Sequence, residues 1–130
     1  MNNIKFITID DAKDIYNGLI QKYGGTYGIR DEGLLDSAIN TPSATFSSQY
    51  LHSDIYEMAS AYAYHIIKNH PFVDGNKRAG IAIAIIFLAI NDIEIEMTNE
   101  ELYELTIKIA TSEISKQEIA NTFRKKTSKN

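Results

Sequence analysis

A stretch of eleven residues concentrates the side chains of this chain that are suited to chemistry. From His70 to Gly80 it reads His-Pro-Phe-Val-Asp-Gly-Asn-Lys-Arg-Ala-Gly. It combines an imidazole that titrates near neutral pH with a carboxylate, a Gly-Asn turn and two cations. Gly75 permits backbone angles that are closed to other residues. Asn76 is a favoured helix N-cap, so the sequence predicts that a helix begins here.

The start of that predicted helix has the properties of an anion site. Unpaired backbone N–H groups and the positive end of the helix dipole favour a bound anion. Lys77 and Arg78 fall in the first turn, where cations are unfavourable for the helix itself, so a bound anion would explain them. Arginine suits bidentate contact with phosphate, and lysine acts as a point charge. The pattern therefore predicts a cradle for phosphate.

The two remaining groups complete a set that fits phosphoryl or nucleotidyl transfer. Asp74 directly precedes the cradle, and Mg²⁺ is usually held by one or two carboxylates together with phosphate oxygens. His70 is suited to take a proton from a hydroxyl nucleophile. Singly, each residue is more simply interpreted as a cap, a turn or solvated surface. Their combination in one short loop favours the functional interpretation, because positioning and charge do most of the catalysis in such transfers.

Helical patterns flank this loop on both sides. Residues 54–69 place apolar side chains at helical spacing, namely Ile55, Met58, Ala59, Tyr62 and Ile66. Residues 79–90 contain no charged or strongly polar side chain. That run is too short for a bilayer, which needs about 20 residues, so it predicts a helix buried on all sides. His65 lies about 140° around the axis from His70, which predicts a structural histidine that points elsewhere.

Capping signals predict the remaining helices. Capping boxes begin at Thr8, Thr98 and Ser115. Gly24 is expected to end the first helix, and Asp31 is expected to cap a short one. The predicted inward residues include Ile15, Leu19 and Ala12 in the first helix, Leu34, Leu35, Ala38 and Ile39 in the second, and Leu102, Leu105, Thr106, Ile109, Ile119 and Phe123 in the last two.

The segments between helices leave alternatives open. Residues 26–30 predict an extended flap or a small hairpin strand, with an ordinary connecting loop about equally supported. The Ser/Thr-rich stretch 40–49 is predicted to be a loop, which Phe46, Tyr50 and Leu51 attach to the core. Residues 93–97 alternate apolar and acidic side chains, which predicts a strand that is either a lone edge or a partner of the flap.

Composition sets the limits of these predictions. The 130 residues predict one domain, 1–130, with a single core, and 44% of them are hydrophobic. There is no cysteine, which suits a cytoplasmic protein. The net charge is −4, which argues against a general nucleic-acid binder. No signal peptide is visible at the start. The basic residues 124–130 predict a mobile, solvated tail. The expected fold class is all-α, with about six helices around a buried central helix.

The spacing His70-x-Phe72-x-Asp74-Gly75-Asn76-x-Arg78 resembles the core signature of the Fic/Doc superfamily. Lys77 stands where Fic adenylyltransferases usually have glycine, and this variant resembles the death-on-curing (Doc) toxins. The stretches 22–25, 28–35 and 112–115 are also similar to Doc sequences, so the resemblance runs from about residue 7 to 124. It implies a Fic/Doc-like helical bundle with a small hairpin or flap that docks the target peptide.

The resemblance also implies roles for individual residues. His70 matches the general base, and Asp74 matches the carboxylate that holds Mg²⁺. The residues that match the site for the phosphates of ATP are Gly75, Asn76, Lys77 and Arg78. Phe72 matches a buried anchor. Adenylyltransferases usually carry a second arginine at the position of Ile81, and its loss points towards Doc chemistry.

In the Doc reaction, the ATP γ-phosphate passes to a threonine of translation elongation factor Tu, which arrests protein synthesis. AMP transfer by a Fic-type enzyme and a catalytically inactive interaction module remain alternatives. The inhibitory Ser/Thr-x-x-x-Glu-Gly/Asn pattern of some Fic proteins is incomplete at residues 53–58, because Met58 follows Glu57. The resemblance therefore implies control by an antitoxin in trans. Neither a nucleic acid nor a membrane is expected as a direct partner.

Overall fold

The computed structural model describes residues 3–128, which form six α-helices, one 3-10 turn and one antiparallel hairpin. In chain order these are α1 (Ile9–Tyr23), α2 (Glu32–Asn40), the 3-10 turn (Thr41–Ser43), β1 (Thr45–Phe46), β2 (Gln49–Tyr50), α3 (Ile55–Asn69), α4 (Asn76–Ile90), α5 (Asn99–Ala110) and α6 (Lys116–Lys125). The predicted all-α bundle with a small hairpin is confirmed.

Polar caps set the helix boundaries, as the sequence predicted. Capping boxes are present at Thr8, Thr98 and Ser115, where each hydroxyl accepts from a backbone N–H and an acidic side chain accepts in return. The carboxylate of Asp31 caps α2 by accepting from the N–H of Leu34. These boundaries are local, since a side chain and a backbone group three residues apart decide them.

The helices α3 and α4 form the central pair of the bundle. Gly80 permits their close approach, because a Cβ at this position would lie 2.7 Å from Cγ1 of Ile67 and 3.2 Å from the carbonyl oxygen of Ala63. The prediction that α4 is buried on all sides is correct only in part. Ala82, Ile85 and Ile86 are partly exposed along one side, and Ala89 and Ile90 reach the surface at the end of the helix.

The inward face of α1 differs from the predicted one by a single position. Ala12 and Tyr16 are fully buried, whereas Ile15 and Leu19 are only half-buried. The ring of Tyr16 packs beneath the loop that joins α3 to α4. The inward positions predicted for the other helices are buried, apart from Leu34, Ile55 and Leu102, which are partly covered.

The hairpin lies in the Ser/Thr-rich stretch rather than at residues 26–30. Its turn is formed by Ser47 and Ser48, both with positive φ (52° and 67°), as tight hairpin turns require. The predicted anchoring of this segment by Phe46 and Leu51 is wrong, since these side chains are 73% and 61% exposed. Tyr50 does reach the core, where its ring centroid lies 5.7 Å from that of Phe6.

The alternating segment 93–97 makes a single antiparallel bridge between Ile95 and Thr127. It therefore pairs with the C-terminal residues, and not with the flap. Lys126 adds an ion pair to Glu101 at 2.6 Å. The chain is thus held in place as far as residue 128, within the range for which we expected a solvated tail, and residues 129–130 lie outside the described residues. None of the described helices is long and apolar enough to cross a bilayer.

Candidate active site

His70 lies at the C-cap of α3, in the left-handed region with φ 52°. Its backbone N–H donates to the carbonyl oxygen of Ile66 at 3.2 Å, and the residue is exposed. Arg30 fixes this helix end: its Nε donates to the carbonyl of His70 at 2.7 Å, and its Nη2 donates to the carbonyl of Asn69 at 2.8 Å. A cation at a helix C-terminus is also favoured by the helix dipole. Arg30 therefore holds the backbone that carries the imidazole of His70 in place.

Asn76 closes the loop instead of capping α4, which corrects the predicted N-cap. The N-cap is Gly75, with φ 78° and ψ 19°. This left-handed turn directs the Asn76 side chain back into the loop, where Oδ1 accepts from the N–H of Phe72 at 2.9 Å and Nδ2 donates to its carbonyl at 3.0 Å. Asn76 therefore fixes the shape of the cradle by closing a ring of hydrogen bonds within the loop.

Phe72 anchors the loop from below. Its side chain is 1% exposed and stacks on the ring of Tyr16, with centroids 3.8 Å apart and planes 13° apart. Such stacking adds about 0.5–1.5 kcal/mol to the burial of the rings. The middle of the loop is thus fixed to α1, while His70 and Asp74 on either side remain exposed.

The first turn of α4 lacks the side-chain cap that the other five α-helices in residues 3–128 possess. Its first N–H groups have no intrahelical acceptor. Lys77 and Arg78 are exposed in this turn, and neither takes part in an ion pair within the described part of the chain. Backbone donors and two exposed positive charges are thus both present in this one turn, which suits an anion site.

Asp74 is exposed beside this turn. Its Oδ1 accepts from the N–H of Gly75 at 2.9 Å, and its Oδ2 accepts from the N–H of Thr26 at 3.2 Å. Residues 3–128 contain no cluster of three or more acidic, histidine or cysteine side chains placed to hold a metal. A single carboxylate at a phosphate cradle still fits Mg²⁺, because this ion commonly takes its remaining ligands from phosphate and water.

The flap, residues 26–30, runs along the loop and pairs with it. The N–H of Arg30 donates to the carbonyl of Pro71 at 2.7 Å, and the N–H of Val73 donates to the carbonyl of Gly28 at 2.8 Å. Ile29 and Phe72 form an antiparallel bridge. The flap is therefore extended, as one of the alternatives predicted, but it makes no hairpin of its own.

Comparison with known proteins agrees with this arrangement. The sequence model of the Fic/DOC family matches residues 6–88, which include the flap, the loop and most of α4. The chain belongs to the Fic/Doc family.

Two curated Fic/Doc relatives cover almost the whole chain. It is 29% identical over 122 residues to "Protein kinase doc" of Escherichia phage P1, which covers 94% of this chain and 95% of that protein. It is 31% identical over 112 residues to "Toxin Doc" of Mycolicibacterium smegmatis, which covers 85% of this chain and 86% of that protein. The Doc-type resemblance predicted from Lys77 and its neighbours is confirmed.

In this Fic/Doc chain the other two histidines lie away from the loop. Nζ of Lys116 is 3.3 Å from Nε2 of His52 and 3.2 Å from Nε2 of His65. Burial, and then the charge of Lys116, lower the pKa of His65 to about 4. His65 thus faces α6 and has a structural role, as predicted, and His52 makes a polar contact near the start of α3.

The candidate catalytic side chains lie at the surface of the protein. All four are exposed, namely His70, Asp74, Lys77 and Arg78. Two surface hollows of about 470 and 300 Å³ lie away from the loop, the first beside residues 92–94 and 127–128, the second on α5.

Three residues that shape this site were not predicted from the sequence. Arg30 braces the end of α3, Tyr16 lies beneath the loop, and Tyr23 lies under the guanidinium of Arg78. Two of them belong to α1, far from the loop in sequence. Their contacts depend on tertiary packing, for which no local pattern gives a signal.

Proposed function

We propose that this Fic/Doc protein is a toxin-type kinase that transfers the γ-phosphate of ATP to a threonine or serine hydroxyl of a protein. The observation that carries the proposal is the first turn of α4, where two unpaired cations and free N–H groups adjoin Asp74 and follow the exposed His70. The phage P1 relative is named a protein kinase, which supports the same reaction here.

The proposed chemistry gives each exposed group in and beside the loop one role. His70 accepts the proton of the target hydroxyl on an imidazole nitrogen. The hydroxyl oxygen then forms a bond to the γ-phosphorus while the bond from that phosphorus to the β–γ bridging oxygen breaks, and ADP carries the released charge. Lys77 and Arg78 stabilise that developing charge. Asp74 would hold Mg²⁺, which would supply further neutralisation of the phosphate charge.

The cation content of α4 supports phosphoryl transfer over AMP transfer. Ile81, where adenylyltransferases usually have a second arginine, is 8% exposed and packs in the core. No cation is therefore available at that position for a second set of phosphate contacts. Lys77 occupies space and adds charge where the α- and β-phosphates of an AMP donor would lie, which favours a nucleotide held with its terminal phosphate towards His70.

Elongation factor Tu is the proposed target, with arrested protein synthesis as the consequence, and an antitoxin in trans is the proposed control. The flap offers a place for a target peptide, because it presents an extended backbone beside the loop. Tyr27 and Val73 are 47% and 53% exposed there, so apolar groups of a docked peptide have partners next to His70.

The decisive experiment is transfer from ATP labelled at the α- or the γ-phosphate to purified elongation factor Tu. We expect label from the γ position alone, lost in His70→Ala and retained in His65→Gln, a matched change at a histidine outside the site. Label from the α position would establish the adenylyltransferase alternative. Absence of transfer from either position, with ATP binding intact, would establish an inactive module.

A further inference from the structure

The hydroxyl of Tyr16 lies where α1, the flap and the loop meet. It donates to the carbonyl oxygen of Asp74 at 2.9 Å and accepts from the N–H of Gly28 at 3.3 Å. The carbonyl oxygens of Thr26 and Gly28 lie 3.2 and 3.3 Å away. A phenol has one donor, so the shortest contact, to Asp74, takes the proton. One buried oxygen therefore connects the flap to the residue proposed to hold Mg²⁺.

The ring of Tyr16 is fixed independently of this hydroxyl. The residue is 1% exposed, and its ring stacks on Phe72 and lies 5.3 Å from the ring of Tyr27. Loss of the oxygen alone would therefore leave the ring packing in place and remove only the hydrogen bonds that the hydroxyl makes to Asp74 and to Gly28.

A second contact joins the same two segments. The N–H of Thr26 donates to Oδ2 of Asp74 at 3.2 Å. Gly25, with φ 110°, lets the flap approach, since a Cβ there would lie 2.9 Å from the same oxygen. The position of the flap and the position of the carboxylate therefore depend on each other.

We propose that Tyr16 is a positioning residue that couples the flap to Asp74, so that protein substrate on the flap and Mg²⁺–ATP at the loop strengthen each other's binding. The identity of these two ligands rests on the proposed function. A ligand that orders one segment reduces the ordering cost of the other, and thermodynamic linkage makes the effect reciprocal.

The test compares Tyr16→Phe with Tyr62→Phe. Tyr62 is a second buried tyrosine, and its hydroxyl accepts from the N–H of Ile7 at 3.0 Å, on a part of the fold remote from the loop. Both changes remove one buried hydroxyl, so we expect similar losses of thermal stability. Only Tyr16→Phe should accelerate hydrogen exchange at the amides of Thr26 and Gly28.

Ligand binding supplies the readout that a purely structural role would not change. In the wild type we expect the KM for ATP to fall as the concentration of elongation factor Tu rises, and the ATP affinity to rise when Mg²⁺ is added. In Tyr16→Phe the dependence of KM on elongation factor Tu should weaken, and the Mg²⁺-dependent gain should shrink about fivefold, the worth of one hydrogen bond.

Tyr16→Phe behaving like Tyr62→Phe in exchange and in Mg²⁺-dependent ATP binding would overturn the inference, whatever the activity. These two measurements need no phosphoryl transfer. A wild type without kinase activity would therefore refute the proposed function and leave the coupling decided by exchange and binding.

Discussion

The guanidinium of Arg78 lies over the ring of Tyr23, with Cζ 4.6 Å from the ring centroid. Nζ of Lys22 lies 5.2 Å from the same centroid. The end of α1 thus meets the start of α4 through an aromatic ring rather than a carboxylate. A ring orients a guanidinium without neutralising it, so the N–H donors of Arg78 remain available for phosphate.

Removal of this ring should weaken ATP use more than it weakens the fold. A cation–π contact at an exposed site is worth about 0.5–1 kcal/mol, so Tyr23→Ala should lower kcat/KM for ATP about two- to fivefold, while Tyr23→Phe retains most of it. Tyr103→Ala removes another exposed tyrosine, from α5 (65% exposed, against 54% for Tyr23), and serves as the control. Equal kinetics for Tyr23→Ala and Tyr103→Ala would show that the ring does not position Arg78.

Arg30 should affect catalysis through the backbone of His70. Arg30→Ala leaves the carbonyls of Asn69 and His70 without their guanidinium donors, which we expect to cost about 1 kcal/mol of stability and to lower kcat more than the KM for ATP. Arg30→Lys should recover little of the lost kcat, because one ammonium group cannot reproduce the two hydrogen bonds that the guanidinium donates to these carbonyls.

The control for Arg30 is Arg124→Ala. Its guanidinium pairs with Asp54 at 2.8 Å on the exposed surface, and such pairs contribute about 0–1 kcal/mol. Steady-state kinetics and thermal unfolding of both variants make the comparison. A kcat for Arg30→Ala equal to that of Arg124→Ala would contradict a role in placing the imidazole.

Gly25→Ala should impair Mg²⁺ use. The new Cβ would lie 2.9 Å from Oδ2 of Asp74, and the backbone has φ 110°, which a side chain strains. We expect the Mg²⁺ concentration for half-maximal activity to rise several-fold. Gly18→Ala is the matched control, because nothing lies within 4 Å of its Cβ, and alanine in a helix should raise stability by up to about 1 kcal/mol. An unchanged Mg²⁺ dependence in Gly25→Ala would argue against contact between the flap and the carboxylate.

Acid should destabilise the protein partly through His65. Burial first, and then the charges of Lys116 and His52, lower the pKa of His65 from 6.5 to about 4. Below pH 6.5 the unfolded chain therefore binds a proton at His65, whereas the folded chain binds it only below about pH 4. The free energy of unfolding falls as the pH is lowered through this window, and the loss is complete below about pH 4. Partial exposure of the ring limits the loss to the order of 1 kcal/mol.

Thermal unfolding at pH 7 and pH 5 measures this loss. His65→Gln keeps an acceptor for Lys116 but does not titrate, so its midpoint should fall less between the two pH values than that of the wild type. His52 faces the same ammonium, and burial also lowers its pKa, so part of the acid sensitivity should persist. An identical fall of the midpoint in both proteins would show that protonation of His65 does not contribute to the acid sensitivity.

The features that were predicted correctly from the sequence depend on residues that lie close together in the chain. The capping boxes at Thr8, Thr98 and Ser115 need only side chains three residues apart, and the loop motif is contiguous. The prediction that Asn76 caps α4 was wrong, because the left-handed turn at Gly75 decides whether this side chain caps the helix or hydrogen-bonds within the loop. The exposure of Phe46 and the burial of Tyr16 depend on which elements lie opposite, and chain order does not reveal that.

Gly80 has a single hydrogen where every other residue would place a carbon, and α3 rests against that gap. Because the six residues 70–75 join these two helices, the closeness of the α3–α4 contact at Gly80 bears on the distance between His70 and the first turn of α4. In the proposed reaction the phosphoryl group would pass across that distance. We therefore expect the methyl group of Gly80→Ala, which would lie 2.7 Å from Cγ1 of Ile67, to lengthen it without altering any group that takes part in the reaction.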